Sequence, residues 1–282
     1  MKREENVDIF QDTLRIFQEN ECLIKATKVA QENQQVIPET EILDDTRTTL
    51  YDNPATVIVS KKRSFEAASA YKDQKVCVHN FASASNPGGG VKNGANAQEE
   101  CLCRCSNLYL CLKMPKLWDD FYLPHRTARN PLHNDDIIYT PGVRIIKSDT
   151  ATPKLLPKSL WFDVDVITCA APNLRERPGN SYNTGDGSVP VKITDKELLQ
   201  LHEKRLRKIL DVAYIKGNEI VILGAFGCGA FSNNPYVVAT AAKNVIKDYL
   251  YKFKTIEFSI YCNPRDDSNY KTFLEIINGI KS

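Results

Sequence analysis

From residue 56 onward the chain alternates between short β-branched runs and helical patterns, and this alternation restricts the fold more than any other feature. TVIVS (56–60) reads as a strand, SFEAASAY (64–71) as a helix, and KVCVHNFA (75–82) alternates with period two before a glycine-rich turn. Strand, helix and strand in that order make a βαβ unit. Further strands are expected at 137–147, 161–170, 218–223 and 255–261, and helices at 95–112, from 194 onward, at about 235–252 and at 267–279. The helix after TDKE carries its own start signal, because Thr194 can cap the first amides and Glu197 can close a capping box. Leu199, Leu206, Ile209, Leu210 and Ala213 would then share its buried face. Strand VDVITCA (164–170) is apolar almost throughout, the mark of a strand covered on both faces. The fold class is therefore α/β with a central sheet. Ahead of it, residues 8–17 read as an amphipathic opening helix and 31–48 as a long polar surface connection.

Composition narrows the function. The 282 residues suffice for a large core, and 42% apolar with 26% charged residues describe an ordinary soluble globule. Thirty-seven basic against 35 acidic residues leave +2, so no nucleic-acid or membrane field is expected. An odd set of nine cysteines fits reduced thiols in a cytoplasm better than a secreted disulfide framework. The charged amino-terminal segment lacks the apolar core of a secretion signal, and no stretch is long enough to span a bilayer. Metal binding is not expected: Cys101, Cys103 and Cys105 alternate on a helix, which turns neighbours about 200° apart, and the four histidines lack HExxH spacing.

Two glycine-rich turns follow strand ends. In NFASASNPGGGVKNGANAQEE (80–100), three glycines after Asn86 and Pro87 suit neither strand nor helix interiors. The amides of Gly88, Gly89, Gly90 and Val91 could approach phosphate or ribose oxygens, although a flexible surface loop is the bland alternative. Gln98, Glu99 and Glu100 open the next helix. Acidic residues are common in a first turn because the dipole favours them. Following such a loop, however, one carboxyl could meet a glycosidic oxygen. Adjacent residues diverge too far to flank one bond as the paired acids of an ordinary glycosidase do, so one acid at most stands at the bond. The second turn, GAFGCGAFSNNP (224–235), again lies between a buried strand and a helix and fits neither the dinucleotide nor the Walker pattern. Of its phenylalanines, Phe226 is assigned to the core and Phe231 to the ligand.

Together these blocks resemble the microbial type of poly(ADP-ribose) glycohydrolase (PARG), whose signature is GGG followed six to eight residues later by QEE. Here seven residues, 91–97, intervene. CLCRCSNLY, YTPGVRIIK, VITCAAPN, GAFGCGAF and the opening DTLRIF are similar as well, so the likeness runs over roughly the whole chain. The resemblance implies a macrodomain-like three-layer α/β/α sandwich with a central mixed sheet and an N-terminal helical extension. It would be one catalytic domain over 1–282, with 1–54 packed on a core of 55–282. It implies hydrolysis of ribose–ribose bonds in poly(ADP-ribose) with release of ADP-ribose. Glu100 would be the catalytic acid, Glu99 would hold ribose hydroxyls and Gln98 would fix the pair. Asn86, Gly88, Gly89, Gly90 and Val91 would wrap ribose and diphosphate. Gly227, Cys228, Gly229, Ala230 and Phe231 would form the diphosphate loop. No cofactor is implied; the partners are poly(ADP-ribose) or ADP-ribosylated proteins, and a monomer is expected. Tyr261 and Asn263 are candidates for stacking on adenine, and the 113–136 excursion has no assigned role. A non-catalytic ADP-ribose reader would not need Gln98, Glu99 and Glu100 together. A mono-ADP-ribosyl hydrolase would use the same cradle.

Overall fold

The computed structural model describes residues 2–43, 50–179, 185–263 and 265–278. Helices α1 (Arg3–Glu19) and α2 (Glu21–Asn33) lead into strand β1 (Gln35–Ile37). The core then runs β2 (Thr56–Ser60), α3 (Ser64–Ala68), β3 (Val76–Phe81), α4 (Gln98–Cys105) and α5 (Leu108–Leu112). Short helices α6 (Pro115–Leu117) and α7 (Leu123–Ala128) precede β4 (Ile137–Ile145) and β5 (Phe162–Cys169). Helix α8 (Asp195–Ile215), β6 (Ile220–Leu223), α9 (Pro235–Ile246), β7 (Thr255–Ser259) and α10 (Ser268–Ile277) complete the chain.

The strands form one sheet in the order β1-β4-β5-β3-β6-β7-β2. Pairs involving β4 are antiparallel and the remaining pairs parallel, so the sheet is mixed. Each face is closed by its own apolar cluster. On one side Ile209, Val212, Val238, Val245 and Phe273 pack from α8, α9 and α10. On the other, Phe10, Phe65, Leu102, Leu108 and Phe121 come from the N-terminal half. This is the macrodomain-like α/β/α sandwich with an N-terminal helical extension that the resemblance implies.

Three local expectations change. The helix expected over 95–112 breaks at Ser106 and Asn107, where Ser106 bridges to Ile145 and the Asn107 side-chain oxygen accepts from Arg144 N at 2.9 Å. Within the connection expected at 31–48, residues 35–37 form an edge strand, and α2 already fills 21–33; residues 44–48 lie outside the described residues, as does residue 279 of the last expected helix. Helix α8 begins with the expected capping box, Glu197 N donating to Thr194 Oγ1 at 3.2 Å. Ile209, Leu210 and Ala213 are buried as expected, but in the first half of the helix the buried stripe runs through Leu198, His202 and Arg205 while Leu199 and Leu206 are only half-buried. The cause is Arg205. Its guanidinium is buried and satisfied by Asp135 Oδ1 at 2.7 Å, Ala170 O at 2.7 Å and Leu132 O at 3.2 Å, so a charged side chain occupies a core position at the end of β5.

Candidate active site

Strands β3, β5, β6 and β7 run parallel, and their C-terminal ends open into a cavity of about 830 Å³. That end of an open α/β sheet is where loops are free to converge on a ligand. Gln98 fixes the geometry at the mouth of β3. Its side-chain oxygen accepts from Phe81 N at 2.8 Å, and its amide donates to His79 O at 2.8 Å and Ser64 Oγ at 3.0 Å. With the amide occupied by protein, Gln98 acts by bolting the start of α4 to the strand.

The two glutamates that follow are both buried. Glu99 Oε2 accepts from Ser83 N at 2.8 Å, and its Oε1 lies 3.4 Å from Asn80 Nδ2. Glu100 Oε1 accepts from Gly90 N at 2.8 Å, whereas its Oε2 has no partner among the described residues. The carboxyls converge on one glycine. A Cβ on Gly89 would lie 2.5 Å from Glu100 Oε1 and 3.0 Å from Glu99 Oε2. They therefore sit together on one side of the cavity, as adjacent residues on a helix must, and do not face each other across it. Burial holds the Glu99 carboxyl well above its ordinary range, and the neighbouring Glu100 carboxylate adds to the effect, against the Ser83 amide and the Asn80 side chain.

The glycine loop differs from its expected role as a ligand-facing amide cradle. Gly89 N donates to Asn86 O at 2.9 Å, Gly90 N to Glu100 Oε1, and Val91 N to Gly88 O at 3.2 Å, while the Gly88 amide bears on Glu99. These amides are spent on shaping the loop and holding the acids. Gly88, which was expected to touch substrate, packs behind the wall against Tyr109 and Cys103, and Val91 is wholly buried in the core. Gly89 and Gly90 do line the cavity, as does Asn86, and there the lack of a side chain permits close approach. Positive φ at Gly88 (69°) and Gly89 (58°) supplies the turn that other residues resist.

The second turn is the donor loop. Gly227, Gly229, Ala230 and Phe231 all line the cavity, and among the described residues their four amides have no protein acceptor. Successive unpaired N–H groups in a turn form an anion-binding nest. Cys228 corrects another expectation: its amide donates to Ala225 O at 3.1 Å and its side chain packs against the core instead of lining the cavity. Phe231 lines the cavity, with the Arg175 guanidinium 5.6 Å from its ring. Phe226 is core, 4.4 Å from His79 and 5.6 Å from His202 between centroids.

Several cavity residues carried no motif. Arg63 lies 3.9 Å over the ring of Tyr261, and both line the cavity, whereas Asn263 lies apart beside Lys61 and Asp267. The 113–136 excursion folds back as α6 and α7 and sends Arg126 to Ser85 O at 3.1 Å and Asn86 Oδ1 at 3.0 Å, bracing the glycine loop from outside. Asp149 accepts from Phe65 N at 3.0 Å through Oδ2, with Oδ1 unpartnered. Burial lifts its carboxyl from 3.8 to about 6. Below about pH 4 folded and unfolded chains both hold this proton, so burial costs little; as pH rises through 6 the folded chain must ionise a buried group that the unfolded chain ionises freely. Asp149→Asn keeps the oxygen facing Phe65 and should raise the melting temperature at pH 7.5 by roughly 2–4 °C, a gain of about 1 kcal/mol, and by much less at pH 4. Thermal melts of both proteins across that range check it; a gain equal at both pH values would contradict the assignment.

The family model for the microbial-type PARG catalytic domain matches residues 4–148, a little over half of the chain. Among solved structures, poly(ADP-ribose) glycohydrolase from Thermomonospora curvata is similar at 26% identity, covering 97% of this chain and 99% of its own, with a TM-score of 0.80. The same enzyme bound to the inhibitor ADP-HPD matches at 26% identity over 96% of this chain and 99% of its own, TM-score 0.79. Poly(ADP-ribose) glycohydrolase from Deinococcus radiodurans in complex with ADP-ribose matches at 27% identity over 89% of this chain and 96% of its own, TM-score 0.73. No curated protein sequence matches the chain. With a matched segment that includes the whole acid-bearing loop and the start of α4, the chain belongs to the microbial-type PARG catalytic-domain family.

Proposed function

We infer that the protein is a glycosidase-type hydrolase that cleaves the ribose–ribose bonds of poly(ADP-ribose) and releases ADP-ribose. The observation that carries this reading is the pairing, in one cavity, of a loop with four unspent amides and a buried acid pair whose outer member keeps a free carboxyl oxygen. A module that only reads ADP-ribose has use for the first and none for the second.

In this reading the amides of Gly227, Gly229, Ala230 and Phe231 receive the diphosphate, and Phe231 orders the adjoining ribose. Tyr261, already stacked by Arg63 on one face, offers its surroundings to the adenine. Glu99 meets ribose hydroxyls, and its commitments to Ser83 and Asn80 fix its position. Glu100 Oε2 delivers a proton to the departing ribose oxygen as the C–O bond breaks. Water then adds to the oxocarbenium-like ribose, and the carboxylate left on Glu100 can take back a proton. In this reading ligand phosphate and loop backbone position that water. Gln98, Arg126, Gly88 and Val91 position the loop and helix without touching substrate.

Residues 1–282 act here as one catalytic domain, with helices α1 and α2 extending its core. Nine unpaired cysteines suit a reducing, cytoplasmic setting, and among the described residues no helix is long and apolar enough to cross a membrane. The test is chromatography of products from purified poly(ADP-ribose) and, separately, from a mono-ADP-ribosylated protein. Release of ADP-ribose from the polymer in large excess over the protein is expected; binding of ADP-ribose without release from either would make the protein a reader, and release from the protein alone a mono-ADP-ribosyl hydrolase.

A further inference from the structure

The function above uses two parts of the cavity lining, the Gly227–Phe231 amides and the Arg63–Tyr261 pair; a further part adjoins the second through Cys101, whose Sγ lies 3.2 Å from both Arg63 and Arg104. This further part is built by the N-terminal helix. Arg3 and Asn6 of α1 line the cavity together with Asn93 through Ala97. Asn6 is buried, its amide donates to Gly94 O at 2.9 Å, and its Oδ1 has no partner among the described residues. Gly94 takes φ +69°, and a Cβ there would lie 2.2 Å from the carbonyl oxygen of Arg3, so loop and helix touch without any side chain between them. Behind the loop, buried Arg104 donates to Ala95 O at 2.7 Å and Asn96 Oδ1 at 2.6 Å, adding a second positive charge to this part. Thr13 Oγ1 to Arg104 O at 2.6 Å and Lys147 Nζ to Ile9 O at 3.0 Å hold α1 in place.

The path from this part to the acid is one loop long. A Cβ on Gly90 would meet Ala95 at 2.9 Å and Glu100 Oε1 at 3.6 Å, and Gly94 next to Ala95 meets Arg3. A general acid stands beside the bond it breaks, with the retained unit on one side and the departing unit on the other. If the Gly227–Phe231 loop takes the retained unit's diphosphate, residues 93–97, which lie beside Glu100 through Gly90 and Ala95, are left for the departing unit.

We propose that Arg3 and Asn6 form the subsite for the leaving unit of the polymer, Arg3 pairing with its diphosphate and Asn6 Oδ1 accepting from a ribose hydroxyl. This rests on the glycohydrolase reading and extends it: the N-terminal helix distinguishes a chain of linked units from a single one, because free ADP-ribose has nothing to place there. A buried acceptor with no protein donor is costly unless a ligand donor satisfies it, and an exposed arginine beside it supplies the charge a diphosphate needs.

Arg3 is exposed, so its replacement leaves the fold intact, whereas Asn6 also anchors Gly94. The test therefore compares wild type, Arg3→Ala and Arg3→Lys by steady-state kinetics on poly(ADP-ribose) and by calorimetry with ADP-ribose. Arg3→Ala should raise KM for the polymer roughly tenfold at low salt, the scale of one charge-assisted hydrogen bond at a partly exposed position. Its kcat and its ADP-ribose affinity should stay close to wild type, Arg3→Lys should recover much of the loss, and the salt dependence of KM should be shallower in Arg3→Ala than in wild type. An unchanged KM overturns the subsite, as does an equal loss of ADP-ribose affinity, which would place Arg3 on the retained unit. Wild-type turnover separates the two readings: if the wild type releases no ADP-ribose, the glycohydrolase reading fails, and the subsite with it; if it does and KM does not move, the subsite alone fails.

Discussion

Glu100→Gln is expected to lower turnover on poly(ADP-ribose) by about 10²- to 10⁴-fold, the range for loss of a general acid, while ADP-ribose binds nearly as it does to wild type. The substitution keeps an oxygen to accept from Gly90 N, so the loop retains its shape. It removes the ability of the second position, Oε2, to carry a transferable proton. An interaction made only as the bond breaks affects kcat and leaves ground-state binding in place. Single-turnover rates with calorimetry on the same preparations check both halves. A turnover close to wild type would remove Glu100 from the chemistry, and a parallel collapse of binding would mean that the side chain holds substrate.

Gly89→Ala should be nearly as damaging from a position with no chemistry of its own. The residue sits at φ +58°, where a side chain costs about 1–2 kcal/mol, and the added methyl would meet Glu100 Oε1 at 2.5 Å and Glu99 Oε2 at 3.0 Å. Both carboxyls must move, and misplacement by about 1 Å can cost on the order of 10²-fold in rate. We expect a loss of that size with a melting temperature lowered by a few degrees. Gly229→Ala is the stability control, since a Cβ there meets nothing within 4 Å and its φ is not in the left-handed region. Melting curves equal for both variants, with turnover retained in Gly89→Ala, would show that the loop yields and that the acids are not held by this contact.

What the sequence made legible was local and periodic. Strands β2 through β7 announced themselves by β-branched runs bounded by breakers, and α8 by a capping box that the structure forms. The acid pair and both turns were readable as a glycine run at a strand end with glutamates opening the next helix, seven residues lying between GGG and QEE, and their joint use came from the family resemblance those blocks carry. The use of the glycine amides was not readable. Donating to a phosphate and donating to Asn86 O or Glu100 demand the same glycines, and only the path of the loop decides between them. Arg205 was likewise hidden: on a helical wheel it spoils an apolar face, and its place depends on three acceptors 35 to 73 residues away. Arg3, Asn6 and Arg126 act on the loop from remote segments, and no spacing within one sequence signals such a contact. The break in the 95–112 helix came from competition, since Ser106 and Asn107 pair with β4 and propensity alone does not anticipate that partner.

The most direct test of the central claim varies the leaving group. Proton delivery matters most when the departing oxygen is strongly basic, as a ribose hydroxyl is, and least when it is a weakly basic phenol. Rates for wild type and Glu100→Gln would be measured on poly(ADP-ribose) and on an ADP-ribose glycoside with a nitrophenol-type leaving group. The account predicts that Glu100→Gln nearly abolishes cleavage of the polymer and leaves cleavage of the activated glycoside close to wild type. An equal loss on both substrates would contradict it, because Glu100 would then serve something other than protonation of the leaving oxygen.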